Sequence, residues 1–135
     1  MKTSIENLIT GESPKFQPSK LEIRRVKDRH SISHTEASPK SICKSFGFKK
    51  QDRVMRPCIV TMSHEFPPKP MMHGGQEFVF ALEGIHEFYY DGQIYKIHPG
   101  DTLYFDSDCP HMGRSLSEKP FKILVIYCNP FNIRS

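Results

Sequence analysis

The sequence predicts an all-β protein built as an antiparallel sandwich or barrel. From residue 76 onward, short strand-like runs follow one another at intervals of about 8–10 residues, separated by Gly, Pro and Asp. Asp91 and Gly92 lie between two such runs and are typical of the two-residue turn of a β-hairpin. No segment carries the long periodicity of an amphipathic helix. Together these observations favour packed sheets over a helical architecture.

The expected elements follow in order along the chain. Residues 1–20 are mostly polar, which predicts a helical turn and then an extended arm. Residues 21–26 alternate apolar and polar side chains, which predicts a strand, and 28–40 have the composition of a loop. We divide the chain into an N-terminal arm with leading strands (1–54) and a barrel core (55–135). The remaining predicted strands cover residues 41–48, 58–62, 77–82, 85–90, 93–98, 102–105, 111–115 and 121–127.

The composition is that of an ordinary globular protein. The chain has 135 residues, of which 37% are apolar and 25% charged, and these values exclude a collagen, a coiled coil and a disulfide scaffold. No run approaches the roughly 20 apolar residues of a membrane helix, and the N-terminus lacks the apolar region of a signal peptide. The four cysteines form no C-x-x-C pair, so we expect reduced thiols. We expect a cytoplasmic protein without a membrane span.

Charge is unevenly divided along the chain. Residues 1–56 carry 13 Lys and Arg against 6 Asp and Glu, a net charge of +7, whereas residues 57–135 carry 6 against 9, a net charge of −3. A basic half can bind nucleic acid, but these cations are dispersed and accompanied by only three phenylalanines, too few for a base-stacking surface. We therefore interpret the segment as solvated and expect no DNA binding by this chain.

One group of residues combines donors that bind transition metals. His73 and Glu77 stand four residues apart where a predicted strand begins, and His111 follows 34 residues after Glu77. Strand alternation puts Glu77 on the same face as Val79 and Ala81, where a carboxylate is costly unless it is paired or bound to a cation. Two histidines and a carboxylate are the donors of a facial triad, which is typical of non-haem Fe(II) and also suits Zn, Mn or Ni. The alternative is that Glu77 hydrogen-bonds a histidine without a metal.

The residues around these donors resemble the two motifs of the cupin family. The first motif is matched by HGGQEFVFALEG (73–84), and the second by PGDTLYF (99–105) with CPH (109–111). The resemblance covers roughly residues 55–129. It implies a double-stranded β-helix, the cupin jelly-roll barrel, with an N-terminal arm and a site inside the barrel mouth. It also implies that His73, Glu77 and His111 occupy three of the four usual metal-ligand positions.

The fourth ligand position departs from the family pattern. Met71 stands where the family has a His, Asp108 where it has a Gly, and Ser115 where it has an Asn. The site has therefore either lost its metal or uses three ligands. Residues 73–80 are similar to the three-ligand iron site in the cupin domain of hydroxypropylphosphonate epoxidase and to cupin domains of helix-turn-helix regulators. This resemblance implies a divalent transition metal, with Fe(II) favoured over Mn, Ni or Zn.

Five further residues are candidates for contact with a ligand in the barrel. A thioether is a soft ligand, poor for Fe(II) beside hard donors, so we expect packing against the pocket from the methionine among them. Each tyrosine offers a hydroxyl to a ligand or is a packed wall residue with its tip in water. The arginine either forms a fork for a carboxylate or phosphonate or is an exposed strand charge. The candidates are Met71, Tyr89, Tyr104, Arg114 and Tyr127.

The outer side of the first-motif strand is apolar. Phe78, Phe80 and Leu82 point away from the face that carries Glu77, and a strand that is apolar on both faces needs a second cover. This pattern and the family analogy predict a homodimer, with the N-terminal arm as the alternative cover. Residues 4–13 resemble the last turn of the helix-turn-helix domain that precedes the barrel in cupin regulators.

Two functions from different classes are compatible with the sequence. The first is a metal-binding cupin that binds a small polar or anionic metabolite, as a mononuclear non-haem Fe(II)-type enzyme with a Lewis-acid or redox centre. The second is a non-catalytic barrel that senses a small molecule, related to the effector domain of helix-turn-helix transcription regulators. Fold analogy does not choose between them.

Overall fold

The computed structural model describes residues 20–28 and 41–128, and eight strands in the second range form two antiparallel sheets. The strands are β1 (Ile42–Ser45), β2 (Met55–Met62), β3 (Gln76–Glu83), β4 (His86–Tyr90), β5 (Gln93–Ile97), β6 (Thr102–Asp106), β7 (His111–Ser115) and β8 (Phe121–Cys128). Strands β1, β2, β8, β3 and β6 form a five-stranded sheet in that order, and β5, β4 and β7 form a three-stranded sheet. The predicted all-β jelly roll is confirmed.

Several sequence-based expectations fall outside the described residues. These are most of the arm over residues 1–20, most of the loop over 28–40, and the regulator-like run at 4–13. The division of the chain between residues 54 and 55 stays a prediction. Among residues 20–28 and 41–128, no helix is long and apolar enough to cross a bilayer.

The strand predicted over residues 21–26 is wrong. The segment is irregular and continues into a short 3-10 helix, Val26–Asp28. Its three apolar side chains are all more than half exposed, so the alternation has no core to face. Instead, the carboxylate of Glu22 accepts hydrogen bonds from the backbone N–H groups of Lys49 and Lys50 at 2.8 and 2.6 Å, which holds the segment beside the connection between β1 and β2.

The hairpin between β4 and β5 forms at the predicted turn. Tyr90 pairs with Gln93, which leaves Asp91 and Gly92 as the two loop residues. Both have positive φ, 48° and 89°, as a type I′ turn requires at its two central positions. The turn is therefore specified by two residues that adopt this conformation at low cost.

The core lies between the sheets and is built largely by β3 and β8. Val79 pairs with Val125, and Ala81 pairs with Ile123, and all four side chains are at least 92% buried. Phe121, which is fully buried, begins β8 and joins the same cluster. Burial of a large apolar side chain contributes roughly 1.5–3 kcal/mol. This packing fixes the inward face of β3, the face that also carries the candidate metal ligand.

We predict that Gly84→Ala destabilises the protein strongly. Gly84 links β3 to β4 with φ +82°, and a Cβ placed there would lie 2.8 Å from Cβ of the buried Phe121. Positive φ costs an L-residue about 1–2 kcal/mol, and overpacking adds about 1–3 kcal/mol. Gly100→Ala is the matched control, because Gly100 has φ +90° and no atom within 4 Å of the added Cβ. Urea unfolding of both variants measures the difference, and equal losses would contradict the overlap with Phe121.

Candidate metal centre

Three donor atoms converge between the two sheets. His73 lies three residues before the start of β3, Glu77 is on β3, and His111 begins β7 in the opposite sheet. The Nε2 atoms of His73 and His111 lie 3.1 and 3.2 Å from the same Glu77 oxygen, Oε2. These ligand atoms all lie within 4.8 Å of one another. The structure therefore brings together the three residues that the sequence singled out.

Backbone carbonyls set the orientation of both imidazole rings. Nδ1 of His73 lies 3.1 Å from the carbonyl oxygen of Gly74, and Nδ1 of His111 lies 2.9 Å from that of Cys109. A carbonyl can only accept, so Nδ1 carries the hydrogen in each ring, and a neutral ring then presents an Nε2 lone pair. Nε2 of His111 is buried and lies near Oε2 of Glu77 without the alignment of a hydrogen bond. Two such lone pairs facing a carboxylate are the donor set that a divalent cation requires.

Ser107 supports the site and was not identified from the sequence. It is fully buried in the turn between β6 and β7, and its hydroxyl donates to Oε2 of Glu77 at 3.0 Å. Its backbone carbonyl accepts the N–H of His73, and its N–H donates to the carbonyl of Gly75. One residue thus connects both motifs, and the only signal in the sequence was its place just before the second-motif histidine.

Electrostatics within the cluster favour the charged carboxylate. Burial raises the pKa of Glu77, but contact with His111, the hydroxyl of Ser107 and the nearby His73 outweigh it and hold the pKa below its ordinary value. Burial lowers the pKa of His111, whereas the adjacent Glu77 carboxylate and the Cys109 carbonyl raise it above its ordinary value overall. Glu77 is therefore ionised at neutral pH, as a metal ligand must be.

Met71 occupies the place of the missing fourth ligand. Its N–H donates to the carbonyl of His111 at 2.8 Å, and its own carbonyl accepts the N–H of His111 at 3.0 Å. Met71 also borders the cavity described below. His64, another histidine near the Pro-rich break, instead has its ring against the carbonyl of Ser117 and is not part of the donor group.

Of the other ligand candidates, Tyr127 lies at the site. It borders the cavity, its ring meets the His73 ring edge-on at 5.1 Å, and its hydroxyl donates to the Gly74 carbonyl at 2.9 Å. The same carbonyl oxygen also accepts the hydrogen bond from Nδ1 of His73. Tyr127 therefore packs against a candidate ligand and steadies the carbonyl that orients it.

Three candidates are not among the described residues that line the cavity, which agrees with the alternative of surface positions for them. Tyr104 is 70% exposed, and its hydroxyl donates to the side chain of Gln76. Nε of Arg114 donates a hydrogen bond to the Glu87 carboxylate at 2.8 Å, and its guanidinium group lies over the ring of Phe66. Tyr89 lies next to the inward-facing Phe88, so strand alternation turns it outward.

A cavity of about 490 Å³ extends from the donor group between the sheets, within the range of pockets for small molecules. Apart from Glu77, the described residues that line it include no charged Asp, Glu, Lys or Arg. Most of the wall is apolar and includes Val60, Met62, Val79, Phe88, Leu103, Phe105, Phe121, Ile123 and Val125.

His86 is a second buried histidine on the cavity wall. It is 2% exposed, and its ring stacks on that of Phe121 with centroids 3.9 Å apart and planes 5° from parallel. Its Nδ1 is buried without a hydrogen-bond partner. Burial lowers the pKa of His86 to about 4, against the opposing charge of Asp101. The ring is therefore neutral at physiological pH.

A two-sheet barrel with a possible His-Glu-His site between its sheets defines a cupin. The family model of the cupin domain, Cupin_2, matches residues 59–127, more than half of the chain. The chain belongs to the Cupin_2 family. Comparison with curated proteins finds no match.

Solved structures with the same fold include an iron enzyme and a regulator domain. HppE in its Fe(II) form with an alternative substrate has 15% identity and a TM-score of 0.68, over 90% of this chain and 71% of that one. Hydroxypropylphosphonic acid epoxidase from S. wedmorenis has 16% identity and a TM-score of 0.67, over 79% of this chain, which spans 59% of the epoxidase. The Cupin_2 domain of an XRE family regulator from Enterobacter cloacae has 18% identity and a TM-score of 0.60, over 67% and 97%. These similarities confirm the predicted resemblance in fold.

We predict that His86 makes the protein less stable in acid. Its folded pKa is about 4 against 6.5 for an unperturbed histidine, so the unfolded chain binds the proton more tightly. Stability from this group is complete above about pH 6.5 and is lost as the pH falls towards 4, by about 3 kcal/mol. His86→Phe keeps a ring against Phe121 and has no titration. The free energies of unfolding of the chelator-treated parent and variant, each at pH 7 and pH 4, measure this effect. An equal pH dependence in the two proteins would contradict the assignment.

Proposed function

We propose that the chain is a metal-binding cupin in which His73, Glu77 and His111 hold one divalent transition ion. The observation that carries the proposal is the convergence of two imidazole nitrogens on one carboxylate oxygen, with the buried Nε2 of His111 3.2 Å from Oε2 of Glu77 and not aligned for a hydrogen bond. Two imidazoles and one carboxylate favour Fe(II), with Mn, Ni or Zn as alternatives.

The surrounding residues prepare the site in separate ways. The carbonyls of Gly74 and Cys109 fix both rings, and Ser107 fixes the carboxylate. Three protein ligands leave positions open for a small molecule. When bound, the ion supplies Lewis-acid or redox chemistry. The apolar wall keeps water away from the ligand end that reaches the metal.

The ligand we propose is mainly apolar with one polar, metal-binding group. A charged ligand body would lose hydration in this cavity and meet no Lys or Arg among the described lining residues. The only candidate cation, Arg114, pairs with Glu87 instead. This replaces the polar or anionic metabolite expected from the sequence.

A sensing function is the second candidate, because this chain is also similar to the cupin domain of an XRE family regulator. An Fe(II)-type enzyme consumes dioxygen with its substrate, whereas a sensor binds ligand without turnover. Anaerobic Fe(II) loading followed by oxygen-electrode measurement with candidate ligands separates the two. Neither function requires DNA binding by this chain.

We also propose a reducing, cytoplasmic location, where the four free cysteines would stay reduced.

We predict that the parent protein binds one transition ion per chain and that Glu77→Gln weakens binding by more than roughly 100-fold. Loss of an outer partner of a metal ligand already costs roughly 10–100-fold, and Glu77 is a proposed ligand. Anaerobic Fe(II) titration and elemental analysis of protein prepared without chelator or nickel resin measure the affinity and stoichiometry.

The matched control for this experiment is Glu87→Gln. Glu87 is a carboxylate on β4 that pairs with Arg114 outside the cavity, so its variant is expected to bind metal as the parent does. A parent that cannot be loaded with Fe(II), or a Glu77→Gln variant that binds equally well, would sink the metal-site proposal.

We also propose that the outer face of the five-stranded sheet joins two copies of the chain. Strand register places Ile59, Leu124 and Phe80 in one row across this face, and Phe80 and Leu82 are 39% and 40% exposed. A continuous apolar surface of this kind marks an interaction site.

We predict a homodimer of twice 15.6 kDa that Phe80→Glu dissociates. A charge at the Phe80 end of this row would be desolvated in the interface without a partner. Ile94→Glu is the control, because Ile94 is 58% exposed on β5 of the other sheet. Light scattering after size exclusion measures the mass, and a monomeric parent, or a Phe80→Glu variant that stays dimeric, would contradict this interface.

A further inference from the structure

The cavity has two polar ends separated by an apolar passage. His111 begins β7 opposite Tyr90, and Ser115 ends β7 opposite His86. The two polar ends are therefore four residues apart along the strands, about 13 Å. Both histidines line the same cavity. A ligand at the donor group can thus extend to the level of His86.

Gly113 keeps the passage between the two ends open. It lies midway along β7 on the inward face, opposite Phe88. A Cβ at this position would lie 3.4 Å from Sδ of Met62 and 3.6 Å from Cζ of Phe121, and both of these residues line the cavity. The position therefore accepts an Ala, but a larger side chain would enter the space that a ligand needs.

The far end of the cavity holds a polar group without a partner. Nδ1 of His86 is buried and makes no hydrogen bond, which leaves the cost of its desolvation uncompensated. The stack on Phe121 fixes the plane of the ring. A half-turn about the Cβ–Cγ bond returns the ring to the same plane and exchanges its nitrogen and carbon positions, so a nitrogen can be presented to the cavity with the stack restored.

We infer that the cavity binds an elongated, uncharged ligand whose head reaches the donor group, whose apolar body passes Gly113, and whose tail hydrogen-bonds His86. A hydroxyl or carbonyl suits the tail, because a neutral imidazole can donate to or accept from such a group. A charged tail would meet no ion-pair partner among the described lining residues. Only the binding of the ligand head to a metal ion rests on the proposed function.

The test uses Co(II)-loaded full-length protein and n-alkyl hydroxamates, which chelate a metal through the head. We expect affinity to increase with chain length in the parent, and a terminal hydroxyl at one length to add about tenfold. Gly113→Val removes the gain from chain length but leaves binding of acetohydroxamate unchanged. His86→Phe keeps the gain from length and loses the gain from the hydroxyl. Changes in Co(II) absorption report binding.

Each remaining outcome decides against a stated part of the inference. Affinity independent of chain length, or a length gain that survives Gly113→Val, overturns the passage. A hydroxyl gain that survives His86→Phe overturns the far site. If Gly113→Val does not fold, Gly113→Ala is measured instead, with a smaller loss expected for long probes.

Failure of the metal site is separated by the metal-free protein. If the parent does not bind Co(II), the proposed function fails, and n-alkanols then test the cavity directly. They are expected to raise the melting temperature of the metal-free parent in proportion to chain length, less so in His86→Phe, and not in Gly113→Val. No rise in the parent would overturn the inference.

Discussion

The buried carboxylate of Glu77 is the constraint on which the rest of the site depends. It shares the inward face of β3 with Val79 and Ala81, which are almost fully buried. An unpaired charge in such a place costs several kcal/mol. One oxygen, Oε2, receives the Ser107 hydroxyl and lies beside both imidazoles. Since these partners come from β7 of the three-stranded sheet, the segment before β3 and the turn between β6 and β7, compensating one charge on β3 also holds the two sheets together at this end.

Backbone hydrogen bonds position the candidate site without using the side chains of its three donor residues. Met71 exchanges two such bonds with His111, and Ser107 makes one with His73 and one with Gly75. These bonds depend on chain path and not on residue type. A methionine can therefore stand at the fourth ligand position while the other donors keep their places. The same reasoning explains how the fold is shared with HppE at 15% identity.

Local sequence patterns predicted most of the strands and turns. They could not predict the features that depend on contacts between segments far apart in the sequence. Asp91 and Gly92 specify their turn by themselves. Residues 21–26 have an equally clear alternation, but no core lies against them. Arg114 points outward because it lies three residues after the inward-facing His111, and strand residues separated by an odd number point to opposite faces. This spacing could be read from the sequence. Ser107 was out of reach, because its contacts depend on how a turn folds back onto the first motif.

The candidate donor group and the walls of the cavity are built by different parts of this barrel. The donor atoms lie at strand ends and turns, whereas the walls beyond them come from strand interiors such as Val60, Leu103 and Phe88. Exchanging wall residues changes what the cavity accepts and leaves the donor group in place. Similarity to a phosphonic acid epoxidase therefore carries no argument for an anionic ligand in this chain. The ligand we propose combines an apolar body with a polar head, because an apolar wall disfavours a charged body and the donor group disfavours an apolar head.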